Sequence, residues 1–246
     1  LLRFYLREDL TDAELGRLAR LARGSTPAMV EGWTKEALAV ARTVRRPLQF
    51  SDLLEQMLPR DERTVEDIRT IALHEIGHAI VAHRLGIRVE RVSIIANDDS
   101  GGHTKTLMAS IVPTWERICD IVTTTLGGRA ADIVLGSGPN AGAESDLANA
   151  TSILLSAIER QGLRGGLVYM PAMGMRRSEV MTLVEAQLTR LLKRSIAIVE
   201  ADRKLAIKLA ERLIEERILS GVDIASALDA GLQEPKRRAR TTGASR

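Results

Sequence analysis

The stretch "ALHEIGHAIVAHRLG", residues 72–86, constrains this chain more than any other. It reads as an apolar helix into which His74, Glu75 and His78 have been set. Residues four apart on a helix lie one turn above each other on one face. His74 and His78 can therefore offer ring nitrogens to a single metal ion. Glu75 flanks the same site and can polarise a metal-bound water, the mechanism behind the His-Glu-x-x-His pattern. Zinc lowers the pKa of such a water toward about 7. The glutamate would take the proton as general base and return it to the leaving group. The competing reading is an amphipathic helix whose histidines are ordinary core or surface residues.

A catalytic zinc needs a third protein ligand and an open position. "AGAESDLANAT" (141–151) offers two carboxylates. Asp146 falls in the first turn of an expected helix, where the dipole favours its ionised form. Glu144 precedes it, and spacing alone leaves both open. His83 follows His78 by five residues, which rotates it away from the pair's face. Val81 and Arg84 stand where the metzincin pattern needs glycine and histidine, so that pattern is excluded and His83 is expected to be structural. His103 could approach a substrate, although a surface histidine is the plainer expectation.

Composition bounds the fold. Aromatic residues make up only 2% of the 246, so the core must be built from Leu, Ile, Val and Ala, which favours helices. The apolar and charged fractions, 45% and 27%, are those of a soluble globular protein. No run of 18 or more apolar residues is present, so no membrane segment is expected. The single cysteine, Cys119, excludes an intramolecular disulfide, fits a reducing compartment and reads as a small buried hydrophobe. The net charge of +3 owes much to "EPKRRARTTGASR" (234–246), expected to be a solvated, disordered tail. No nucleic-acid partner is expected. The chain opens Leu1–Leu2 without methionine and is expected to be a piece of a longer protein. The expected location is cytoplasmic, with membrane anchorage of the full-length protein left open.

Along the chain, "DAELGRLARLA" has helical periodicity ended by Gly24. "STPAMVEGWTKEALAVARTVRR" follows, capped by Ser25 or Thr26, with Pro27 in the first turn, where its missing N–H costs nothing. Pro47 stops that helix, and "FSDLLEQML" makes a short third one capped by Ser51. A boundary is expected at Pro59 and the charged "RDER". A long helix then runs from Thr64 to Leu85 and ends at Gly86. "RVERVSIIA" (88–96) reads as a strand, "NDDSGG" as a turn and "GGHTKTLM" as the return strand. Pro113 opens a helix expected to read through Gly127–Gly128 to Leu135. That glycine pair costs about 1 kcal/mol per residue in a helix and usually marks close approach of another backbone. Ser145 is expected to cap the next helix. Residues 178–219 read as one or two long amphipathic helices, and "SGVDIASALDAG" closes the fold.

Taken in order, "HEIGHA" (74–79), "RVSIIANDDSGGHTKT" (91–106), "GGRAAD" (127–132) and "AGAESDLANAT" (141–151) resemble the peptidase domain of FtsH-type ATP-dependent zinc proteases. The resemblance runs over roughly residues 64–230. It implies His74, His78 and Asp146 as zinc ligands, with Asp146 preferred over Glu144, and Glu75 as catalytic base. It also implies an edge strand around Gly102, His103 and Thr104 that pairs with an extended substrate. Asp132 departs from the family's glutamate. Residues 1–60 resemble, more loosely, the helical lid that ends an AAA ATPase module, although Pro27 and Met29 depart from that pattern. No Gly-x-x-x-x-Gly-Lys-Ser/Thr occurs, so ATP is expected to act only through an upstream module.

The expected fold is mainly α-helical (α+β): a lid-like bundle over 1–60, a zinc peptidase domain with a small sheet over 61–232, and a basic tail over 233–246. The expected activity is zinc-dependent endopeptidase action on unfolded proteins or peptides, within a homo-oligomeric ring that is hexameric in the family. The alternative is a non-catalytic assembly module of an AAA ring.

Overall fold

The computed structural model describes residues 2–6, 10–22, 24–58, 61–96, 101–107, 112–164, 167, 169 and 177–230. The basic tail and residues 97–100 of the "NDDSGG" turn lie outside them. The chain divides into two compact units, Leu1–Thr64 and Val65–Arg246.

Among the described residues the first unit has four helices: α1 (Leu2–Leu6), α2 (Asp12–Leu21), α3 (Pro27–Thr43) and α4 (Phe50–Met57). Their apolar stripes meet in a core that includes Leu6, Leu18, Ala37 and Leu53. Local chemistry sets the ends. Thr11 and Glu14 form a reciprocal capping box at α2. Thr26 caps α3, with Pro27 directly after it. The expected Ser51 cap of α4 is replaced by Gln49, whose backbone N–H donates to Asp52. Asp52 is buried and takes a two-pronged bond from Arg46 at 2.6 and 2.7 Å, which fastens the α3–α4 turn.

The second unit is built around α5 (Val65–Arg84). Ile68, Ala72, Ile76, Ala79 and Ile80 on this helix are buried, and Glu66 and Asp67 sit at its positive end. Gly86 takes a left-handed φ of 67° just past its C-terminus. The chain then forms β1 (Arg88–Ser93), β2 (His103–Leu107), α6 (Trp115–Thr125), α7 (Gly127–Leu135), a 3-10 turn (Ala141–Ala143) and α8 (Glu144–Glu159). After it come α9 (Arg177–Ala201), α10 (Arg203–Glu216), β3 (Ile218–Ser220) and a helix over 221–230. The fold is mainly α-helical with one small antiparallel sheet in the order β2-β1-β3.

In the second unit three local expectations change. The helix expected from Pro113 to Leu135 is two helices, because Leu126 sits at φ −82°, ψ 3°, off the helical line. The glycine pair therefore opens α7 rather than interrupting one long helix. The cap position of α8 is Ala143 rather than Ser145, since the 3-10 turn feeds directly into it. Within the stretch read as helical to residue 219, Ile218–Ser220 is a strand that pairs with β1, Val92 opposite Leu219.

Candidate metal centre

His74 and His78 project from the middle of α5 with ring centroids 4.9 Å apart. Asp146 arrives from the first turn of α8, and its Oδ2 lies 3.0 Å from Nε2 of each imidazole. The two Nε2 atoms are 3.2 Å apart. Glu144, the other carboxylate considered, is exposed and outside this group. His74, His78 and Asp146 are thus brought together as a set able to hold one metal ion.

The helix packing that allows this is unusually close. A Cβ on Gly77 would lie 2.4 Å from the carbonyl oxygen of Gly127, and one on Gly127 would lie 2.8 Å from Cα of His78. A Cβ on Gly128 would fall 2.2 Å from Nε2 of His74, inside the ring's own space. Only hydrogen fits at these places, so α7 rests its backbone against α5 at the histidines themselves.

The far nitrogen of each imidazole is engaged. Nδ1 of His74 lies 3.1 Å from Asp132, a buried carboxylate on α7. Nδ1 of His78 donates to the carbonyl of Thr124 at 2.9 Å. The Gly128 N–H is 3.3 Å from that nitrogen, but the shorter Thr124 bond fixes Nδ1 as the donor. Protons on both Nδ1 atoms leave both Nε2 lone pairs aimed at the common point. In the sequence Asp132 stands out only as a departure from a family motif. Its place one turn beyond Gly128, on the face that meets α5, was the available signal.

Electrostatics point the same way. Burial works against a charged ring at His74, yet Asp132 and Asp146 outweigh it and push its pKa up to about 10. Burial likewise opposes charge at His78, where Asp146 prevails and raises the pKa. Asp146, also opposed by burial, is held well below the ordinary carboxylate range by the two rings. The cluster demands positive charge at its centre. An ion held tetrahedrally by bonds of about 2.0–2.1 Å keeps its donors about 3.3 Å apart, close to the spacings found here. Two imidazoles and a carboxylate are also donors that zinc accepts.

The cluster floors a cleft of about 600 Å³. Glu75, largely buried, stands in its wall and receives a bond of 2.6 Å from the hydroxyl of Thr104 on β2. Gly102 and His103 also line the cleft. On β2, His103, Lys105 and Leu107 are exposed while Thr104 and Thr106 are half-buried, so the threonines face α5. The other two residues singled out behave structurally: His83 lies 3.1 Å from Asp229, and Cys119 is buried.

Donors spaced for a tetrahedral ion, with their outer nitrogens tied down and a carboxylate beside them, belong to a metalloprotease. Sequence comparison narrows that class. Residues 62–227 match the profile of peptidase family M41, and the chain belongs to that family. Among its relatives, "ATP-dependent zinc metalloprotease FtsH 2" of Sphaerobacter thermophilus is 26% identical over 92% of this chain and 38% of its own length. "ATP-dependent zinc metalloprotease FtsH 1" of Thermoanaerobacter sp. is 29% identical over 88% of this chain and 38% of its own length. "ATP-dependent zinc metalloprotease FtsH" of Ruminiclostridium cellulolyticum is 30% identical over 62% and 27%. The chain thus spans well under half the length of these curated relatives. No described helix is long and apolar enough to cross a membrane.

Proposed function

We propose that this chain is the proteolytic portion of an ATP-dependent zinc protease that degrades unfolded proteins. In this reading His74, His78 and Asp146 hold the zinc and Glu75 is the general base. The observation that supports it most is the trio of donor atoms 3.0–3.2 Å apart, with both outer imidazole nitrogens engaged.

Zinc, when bound, supplies a Lewis acid that polarises a peptide carbonyl and acidifies water. The chain's residues do the rest. Asp132 and the Thr124 carbonyl hold the Nδ1 side of each imidazole and so turn its Nε2 toward the position the ion would take. Glu75 accepts a proton from the attacking water and delivers it to the leaving amine nitrogen. Pairing of β2 with an extended substrate would use main-chain donors and acceptors around Gly102–Thr104, which suits broad sequence tolerance.

Residues 1–60 would be the helical lid of an AAA module. The match to the Sphaerobacter relative covers 92% of the chain, whereas residues 62–246 are about three quarters of it, so that likeness extends into the N-terminal unit. ATP would be bound by a module outside these residues, and the working form would be a homo-oligomeric ring.

The test is elemental analysis joined to a cleavage assay on an unfolded protein. Wild type is expected to hold one zinc per chain and Asp146→Ala to lose most of it. Glu75→Gln is expected to keep the zinc and lose cleavage by about 10²–10⁴-fold. Absence of zinc from reconstituted wild type would sink the reading and favour a non-catalytic assembly module.

A further inference from the structure

Glu75 must do more than stand near the metal: one of its oxygens has to face the water it deprotonates. A glutamate side chain has three rotatable bonds, and nothing on α5 itself fixes the last of them. The fixing group lies on β2. Thr104 Oγ1 is 2.6 Å from Oε2 of Glu75 and 3.0 Å from the main-chain oxygen of the same residue. A threonine hydroxyl has one proton, and the shorter contact gives it to the carboxylate. Gly102, two residues earlier on the same side of the chain, supplies the clearance. A Cβ there would lie 2.8 Å from Cγ and 2.9 Å from Oε1 of Glu75.

We propose that Thr104 is the positioning residue of the general base: with Gly102 it forms a clasp on β2 that pins Oε2 of Glu75 and leaves Oε1 to take the proton from water. The inference rests on the reading of Glu75 as base. It gives Thr104 two separate tasks, since its main chain belongs to the strand that would meet substrate while its hydroxyl is turned to Glu75 on α5. The register of β2 then matters to chemistry as well as to binding. Thr104 pairs with Val92 of β1, so the sheet sets the height at which the hydroxyl meets the carboxylate. A slip of one residue would put an exposed side chain, His103 or Lys105, in its place. The bond also explains why a small β-branched polar residue is useful here: it is short enough to reach Glu75 and stiff enough at χ1 to hold it.

The test uses the whole chain, zinc-loaded, as wild type, Thr104→Val, Thr104→Ser and Gly102→Ala. Zinc content and melting temperature are measured first, then kcat and KM on an unfolded protein. Valine keeps the shape and removes the proton. Thr104→Val is expected to retain zinc and melting temperature, lower kcat by about 10–100-fold and leave KM within about twofold. Thr104→Ser is expected to recover most of the lost kcat. An unchanged kcat in Thr104→Val, a rise in KM alone, or a loss that serine does not recover would each overturn the proposal. Should the valine form not fold, Gly102→Ala decides: zinc retained with kcat down tenfold or more supports the clasp, and unchanged kcat overturns it. Wild type that holds zinc yet cleaves nothing would instead overturn the assignment of Glu75 as base, and this inference with it.

Discussion

Glycines sit inside helices in both units of this chain, and they do opposite things. In the N-terminal unit, Gly16 on α2 and Gly32 on α3 have, among the described residues, nothing beyond their own stretch of helix within 4 Å of where a Cβ would stand. They weaken their helices by leaving the unfolded chain more freedom. At the α5–α7 contact, Gly77, Gly127 and Gly128 have backbone or imidazole atoms 2.2–2.8 Å from the same point. There the missing side chain is the condition for two helices to touch and for the histidines to be placed. One residue type is dispensable in the first unit and irreplaceable in the second, and only the neighbours decide which.

Identical substitutions should therefore differ in sign. Gly77→Ala is expected to have the largest effect, destabilising the second unit by about 3 kcal/mol, at the upper end of ordinary overpacking. It should separate α5 from α7 and cut the zinc content, both measurable by thermal melting with metal analysis. A variant that melts normally and binds zinc would break the comparison. Asp132→Asn probes the same contact more gently. The amide oxygen still accepts from Nδ1 of His74 but lacks the charge, so zinc affinity should fall by about 10–100-fold. Competition against a chelator would measure it, with melting of the zinc-free protein as the control. The smallest effect is the reverse one. Gly16→Ala should stabilise the N-terminal unit by about 0.5–1 kcal/mol, seen as a small rise in the denaturation midpoint. Destabilisation there would mean that the open space around Gly16 is filled in the working assembly.

What could be read from sequence follows the reach of each interaction. The His74–His78 pair was legible because four-residue spacing on a helix is local geometry. Gly86 and Pro27 were legible as helix ends for the same reason. Asp146 lies 72 residues from His74, and no local rule joins them, so sequence offered it only beside Glu144 and family resemblance made the choice. Asp132 and Thr104 act on partners 58 and 29 residues away, and their types alone suggest no such duty. β3 escaped because three residues are too few to show a period of two, and its partner stands far back in the chain. The break at Leu126 depends on one residue's ψ, which apolar periodicity does not encode.

That distant pairing of β3 has a consequence for the order of assembly. Ser93 of β1 is matched with Ile218, so the sheet gains its third strand only after almost the whole second unit has been synthesised. Both histidines, Glu75, Thr104 and Asp146 all leave the ribosome earlier. Until Ile218 follows, one edge of β1 stays open, and contacts of such long sequence separation are slow to close. The helix over 221–230 then begins at Gly221, where a Cβ would fall 1.9 Å from the carbonyl oxygen of Val89, so this helix also seats directly on β1. The strand that aligns Thr104 is thus braced by residues 218–221. A nascent or truncated copy holds the parts of a peptidase before it holds the frame that aligns them.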